Sequence, residues 1–216
     1  MQAKATRRDY ENFLLSAYFG KKYSSDAMGA CIERAYLDFS RTLRGIASFD
    51  QRREFHGEAI GHIKSAVGKL RGTVINDQTQ FDKWHEETCF SLKFIYDHGG
   101  FLQFEIGQAQ KWVNMTLKYI YTFGDDRIPD FSRVYPFCHV PIDNRIIDRL
   151  KCFEPPELQL PWSQSASYNQ YLNYQKWIRG TFTIPPLDLE LFAWTDEGSK
   201  LEQYLRDPQA AAPSAG

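Results

Sequence analysis

Along most of this chain the apolar residues recur every three or four positions, the spacing that lines them up on one side of an α-helix. Thr6 or Asp9 can cap a first helix whose stripe is Tyr10, Phe13, Leu14, Ala17 and Tyr18, ending near Gly20. A second, over about 26–44, carries Met28, Ile32, Ala35, Tyr36, Phe39 and Leu43 and stops at Gly45. A third covers about 50–70, weakened or interrupted by Gly57, Gly61 and Gly68. Further helices are expected over 78–97, 108–123, 144–152, 167–179 and 188–194, punctuated by Gly99-Gly100 and the proline-rich stretches 153–161 and 184–186. No strict alternation lasts beyond a few residues and no repeat has a fixed period, so the pattern predicts an all-α fold of about eight helices. The expected organisation is one helical domain over 1–207, with lobes of about 1–100 and 101–207 flanking a cleft as a variant. The Ala, Pro, Ser and Gly tail at 208–216 is expected to be disordered.

Composition narrows the function classes. With 43% hydrophobic and 15% aromatic residues the chain is too apolar for disorder and has a core to bury. A net charge of −1 means that any anionic partner must be held by a local basic patch. Cys31, Cys89, Cys138 and Cys152 lie far apart without a paired motif, which speaks for free thiols and against a structural metal. His56 and His62 are six residues apart, roughly 240° around a helix, and cannot face one ion. There is no apolar stretch of about 18 residues and no leader-like start, so a cytoplasmic, monomeric protein away from membranes is expected. Glycine-rich phosphate loops are absent, which disfavours nucleotide-binding α/β folds. Glu86-Glu87 reads as a solvated helix face, and Trp84, Phe90, Phe94 and Tyr96 as core.

The informative region runs from 104 to 150. After Gly107 the expected helix places Ala109, Val113, Thr116, Leu117 and Ile120 on its apolar side. Gln108, Lys111, Asn114, Lys118 and Thr122 fall on the other stripe, with Met115 among them, so Lys111 is expected outside the core. That stripe either meets solvent or lines a cleft. Downstream, His139-Val140-Pro141-Ile142-Asp143 ends an irregular stretch, and Asp143 can cap a helix carrying Ile146, Ile147 and Leu150. A cap alone already accounts for Asp143.

The order of glycine, short polar spacer, Lys111, apolar helix, loop and then Val140-Pro141-Ile142-Asp143 opening a second helix resembles the helix-hairpin-helix DNA glycosylase superfamily, in particular its oxidised-guanine branch. The resemblance implies that Lys111 is the nucleophile at the sugar C1′ of a flipped nucleotide and that Asp143 is the catalytic aspartate. It further implies DNA as partner, no cofactor, and a closing helix at Pro186–Trp194. Trp112, Phe137, Phe192 and Trp194 are then candidate walls of a base pocket, with Gln108 and His139 as base contacts. Gly107, Arg145, Arg149 and Lys151 are candidate phosphate contacts. The sequence departs from the family at the hairpin, where Glu105-Ile106-Gly107-Gln108-Ala109 replaces a glycine-rich turn, and the loop 124–135 is longer than the family pattern. Two other classes fit the same residues: a non-cleaving nucleotide or nucleic-acid binder of glycosylase-like shape, and a helical interaction module with a surface lysine and a cap.

Overall fold

A computed structural model of the chain describes residues 4–72, 75–195 and 198–206, and the tail lies outside these residues. Among them are eight α-helices: α1 (Arg7–Phe19), α2 (Ala27–Phe39), α3 (Arg52–Gly72), α4 (Gln78–His98), α5 (Ile106–Phe123), α6 (Asn144–Leu150), α7 (Tyr168–Thr181) and α8 (Pro186–Trp194). Single 3-10 turns fill several connections, and the only β pairing among the described residues is one antiparallel bridge, Phe182 to Leu205. The fold is all-α, as the periodicity predicts.

Local chemistry explains most boundaries. Thr6 accepts a hydrogen bond from the Asp9 backbone while the Asp9 carboxylate accepts from the Thr6 amide, a capping box that starts α1. Asp26, Asp77, Asp143 and Ser167 cap α2, α4, α6 and α7 with side-chain oxygens. The second helix ends earlier than its apolar stripe, at Phe39, because a 3-10 turn over Ser40–Thr42 carries Leu43 inward instead. The third helix is unbroken despite its glycines. Nothing approaches within 4 Å of the Cβ position at Gly57, Gly61 or Gly68, so they cost helix propensity without marking a crossing point.

Helix α5 is the axis of the molecule, packed most extensively against α2 and then against α4. Every residue of α5 except Lys118, Tyr121 and Thr122 is buried, which the one-sided reading of its sequence did not anticipate. Trp112 fills the centre of one side, ringed by Tyr36, Phe39, His56 and Tyr96, and donates its indole N–H to the Ile32 carbonyl at 2.9 Å. Gly107 meets the 160s segment at close range: a Cβ there would stand 1.6 Å from the Trp162 carbonyl oxygen, so only glycine lets the start of α5 dock.

Two apolar expectations are corrected. Phe90 and Phe94 are 48% and 68% exposed, because α4 buries the side bearing Phe81, His85, Cys89, Leu92 and Tyr96 and turns those two rings outward. Helix α1 has no buried residue; Tyr10, Phe13, Leu14 and Tyr18 face outward, and the helix docks through half-buried Leu15 and Phe19.

Candidate functional site

Lys111 is buried, not on a solvated stripe, and its ammonium donates to the Asp143 Oδ2 at 2.5 Å. Asp143 divides its carboxylate between two tasks, since Oδ1 accepts the Ile146 amide at 3.0 Å and so caps α6. One carboxylate thus serves both as the cap of α6 and as the acceptor of the Lys111 ammonium. The side chain of Lys111 is 5% exposed and that of Asp143 18%, so the pair lies just beneath the surface with the aspartate on the outer side.

Two glutamines hold the segment that delivers Asp143. Gln175 donates to the Val140 carbonyl at 2.8 Å and accepts the Val140 amide at 3.0 Å. Gln110 does the same for Ile142, at 2.8 and 3.2 Å. Each side-chain amide thereby imitates a neighbouring strand, and alternate residues of an extended, buried stretch are satisfied from α7 and α5. His139 anchors the near end, with one ring nitrogen 2.7 Å from Asp82 and the other 2.8 Å from the Tyr171 hydroxyl. Burial drives the His139 pKa down against the pull of Asp82, and burial together with His139 drives His85 well down. Burial raises the Asp82 carboxyl, but its hydrogen bond and charge interaction with His139, together with Gln78 and Arg179, outweigh this and hold it below its ordinary value.

A second ion pair adjoins the first. Lys118, two turns along α5 from Lys111, lies 2.6 Å from Oε2 and 2.8 Å from Oε1 of Glu190 on α8, and only the Oε1 contact has hydrogen-bond geometry. Glu190 is fully buried. Desolvation raises its pKa, opposed by Lys118 and Lys111 and reinforced by Asp143, so the four charges share one field. Glu190 was not singled out from the sequence. Its signal was a carboxylate inside the largely apolar nonamer PLDLELFAW, in which Asp188 is the other charged residue.

The other sequence candidates scatter. Trp194, 46% exposed, lies under Arg145 at 4.4 Å and near Lys118 at 5.4 Å, and so stands beside the charged cluster. Arg145 also donates to the Trp194 carbonyl, which ties the start of α6 to the end of α8. Trp112 points the opposite way, into the aromatic core, and His139 is enclosed by Asp82, Phe81 and Tyr171. Gln108 is consumed at the start of α5, accepting the Glu105 amide at 2.7 Å and donating to the Thr42 hydroxyl at 2.9 Å. Phe137 is half-buried, with its carbonyl accepting from Gln78, and Phe192 stacks on Tyr204. Lys151 pairs with Asp148 at 2.7 Å, Arg149 is an exposed residue of α6, and the Gly107 amide donates to the Ser165 carbonyl at 2.9 Å. Of the proposed constellation, Lys111, Asp143, Arg145 and Trp194 come together.

Among the described residues no helix is long and apolar enough to cross a membrane. Comparison with family models, with curated proteins and with solved structures gave no match.

Proposed function

We propose that this chain excises a damaged base from DNA by helix-hairpin-helix glycosylase chemistry, with Lys111 as nucleophile and Asp143 as its partner. One observation carries the reading. A lysine and an aspartate 32 positions apart in sequence meet as a buried pair at 2.5 Å, and they are the two residues that the motif resemblance selects.

An amine attacks only when unprotonated, and Oδ2 of Asp143 lies where it can take the Nζ proton as a nucleotide displaces the pair. The Nζ lone pair then bonds to C1′ as the glycosidic bond breaks. The base leaves with the electron pair of the broken glycosidic bond and takes the proton held by Asp143, which returns to its ionised form. Positive charge developing on the sugar is stabilised by the Asp143 carboxylate in a site of low polarity. Opening of the sugar ring gives an imine between Nζ and C1′, which borohydride reduces to a stable amine.

The decisive experiment is incubation with duplex DNA carrying 8-oxoguanine in the presence of borohydride. The reading expects a covalent adduct that is absent on undamaged duplex and absent in Lys111→Gln. It expects base release to fall by about 10²–10³ in Asp143→Asn, which keeps an oxygen to cap α6. A second reading is favoured by how closed the pair is: Nζ is buried and occupied, as suits a binder that recognises DNA without cutting it. Lesion-specific binding with neither adduct nor released base would select that reading.

A further inference from the structure

A polar groove with a volume of about 510 Å³ lies at the N-terminal end of α5. One wall is the turn after α2, carrying Arg41 and Arg44. The other is formed by Gln103, Ser163 and Gln164. Both arginines are exposed, and neither side chain has a hydrogen bond or ion pair with another of the described residues, in contrast to Arg34, Arg127 and Arg179. Their turn is not loose. Buried Gln108 holds the Thr42 hydroxyl at 2.9 Å, Leu43 is in the core, and Gly45 takes a left-handed conformation (φ 81°) that ends the turn. The guanidinium groups are therefore carried by a pinned backbone.

The floor of the groove is the positive end of an 18-residue helix dipole, yet amides of its first turn are spent internally. The Gly107 amide goes to Ser165, and the Gln108 amide to Glu105, whose side chain completes a capping box. An anion cannot be gripped there by those two backbone amides. The one carboxylate lining the groove is Glu105, with a buried Oε2 that has no hydrogen-bond partner but stands 3.4 Å from Lys93, so its charge is offset. Two unopposed guanidinium groups remain.

From this we infer that the groove is a phosphodiester-binding subsite for duplex DNA, in which Arg41 and Arg44 side chains take the place of backbone amides. It rests on the nucleic-acid part of the proposed function and not on cleavage. Gln108, which helps to line the groove, lies three residues before Lys111 on the same helix, about 4.5 Å of helix rise.

The test is fluorescence anisotropy of an undamaged duplex of about 20 base pairs across a salt series. Each phosphate neutralised contributes about 0.9 to the log-log salt slope. Arg41→Gln/Arg44→Gln is expected to flatten that slope by about 1.8 and to weaken binding at least tenfold at about 0.1 M salt, while the double lysine variant restores the slope. The circular dichroism spectrum stays that of the wild type, since neither side chain is buried or paired. An unchanged slope, or a wild-type protein that binds no duplex, overturns the inference. Thermal stabilisation of the wild type by inorganic phosphate, without competition against duplex, places a small anion in the groove and also overturns it. Borohydride trapping at saturating DNA and low salt reads Lys111 separately. A flattened slope with no trapping in the wild type refutes the glycosylase reading alone, and intact trapping with an unchanged slope refutes the groove alone.

Discussion

The two sides of α5 are buried equally and built from opposite chemistry. Around Trp112 the interior is mainly aromatic and its polar contacts are few: the indole N–H donates to the Ile32 carbonyl, and His56 meets the Tyr96 hydroxyl at 3.3 Å. On the other side Gln110, Lys111 and Asn114 face α6, α7 and the 139–143 segment, and buried polar groups are matched one against another. Asn114 alone meets Gln110, His85 and Tyr171. The first side can tolerate hydrophobic repacking, because volume is what it specifies. The second cannot, because each group removed strands a buried partner. Chemistry that needs a lysine with little water around it belongs on the second side.

The largest expected effect falls on the aromatic side. Trp112→Ala empties the centre of the aromatic cluster and is expected to cost about 3–5 kcal/mol in denaturant melts. On the polar side, Lys111→Met leaves Asp143 without its counter-charge. Since Asp143 is not fully enclosed, the cost is placed near the lower end of the range for breaking a buried pair, about 3 kcal/mol, with much of it recovered in Lys111→Met/Asp143→Asn. If Lys111→Met proves neutral on its own, the pair is not what joins α5 to α6. Gln175→Leu preserves volume but orphans the Val140 amide and carbonyl, an expected loss of about 2 kcal/mol.

A pH series sharpens the same contrast. His85 and His139 both have depressed pKa values, so below the ordinary histidine value near 6.5 the unfolded chain takes up protons that the native state refuses. Stability should therefore be full above pH 6.5 and fall as pH drops from 6.5 towards 5.5, by up to about 1.4 kcal/mol per pH unit for each proton involved. Melts showing stability flat or rising on acidification in that window would contradict the packing of this side. Asp82, whose pKa is also depressed, adds a further loss only below its ordinary value of 3.8. The smallest effect belongs to neither side: Phe13→Ala on α1, at a ring 67% exposed, is expected to stay within about 0.5 kcal/mol.

Helix number and most boundaries were legible because spacing and capping residues are local signals, as with Asp77 before α4 or Asp143 before α6. The placement of α5 was not. Its apolar stripe and high polar content read as one buried and one open face, whereas both are covered, and only tertiary partners such as Asp143, Gln175 and Tyr171 make burial of Lys111 and Asn114 affordable. Phe90 and Phe94 failed for the complementary reason, since an aromatic ring carries no signal for which side of a long helix finds a neighbour. The Lys111 and Asp143 pair was legible through motif order. The second pair, Lys118 and Glu190, and the glutamine clamps depend on meetings across some 30 to 70 residues that no spacing rule encodes.

The central claim, that a buried lysine held by an aspartate is the reactive group, is tested most directly by locating the adduct. Wild-type protein reduced with borohydride on 8-oxoguanine duplex, digested and sequenced by mass spectrometry, is expected to carry the modification on Lys111. An adduct on Lys118 or on an exposed lysine such as Lys64, or no adduct under conditions where the duplex is bound, would contradict it.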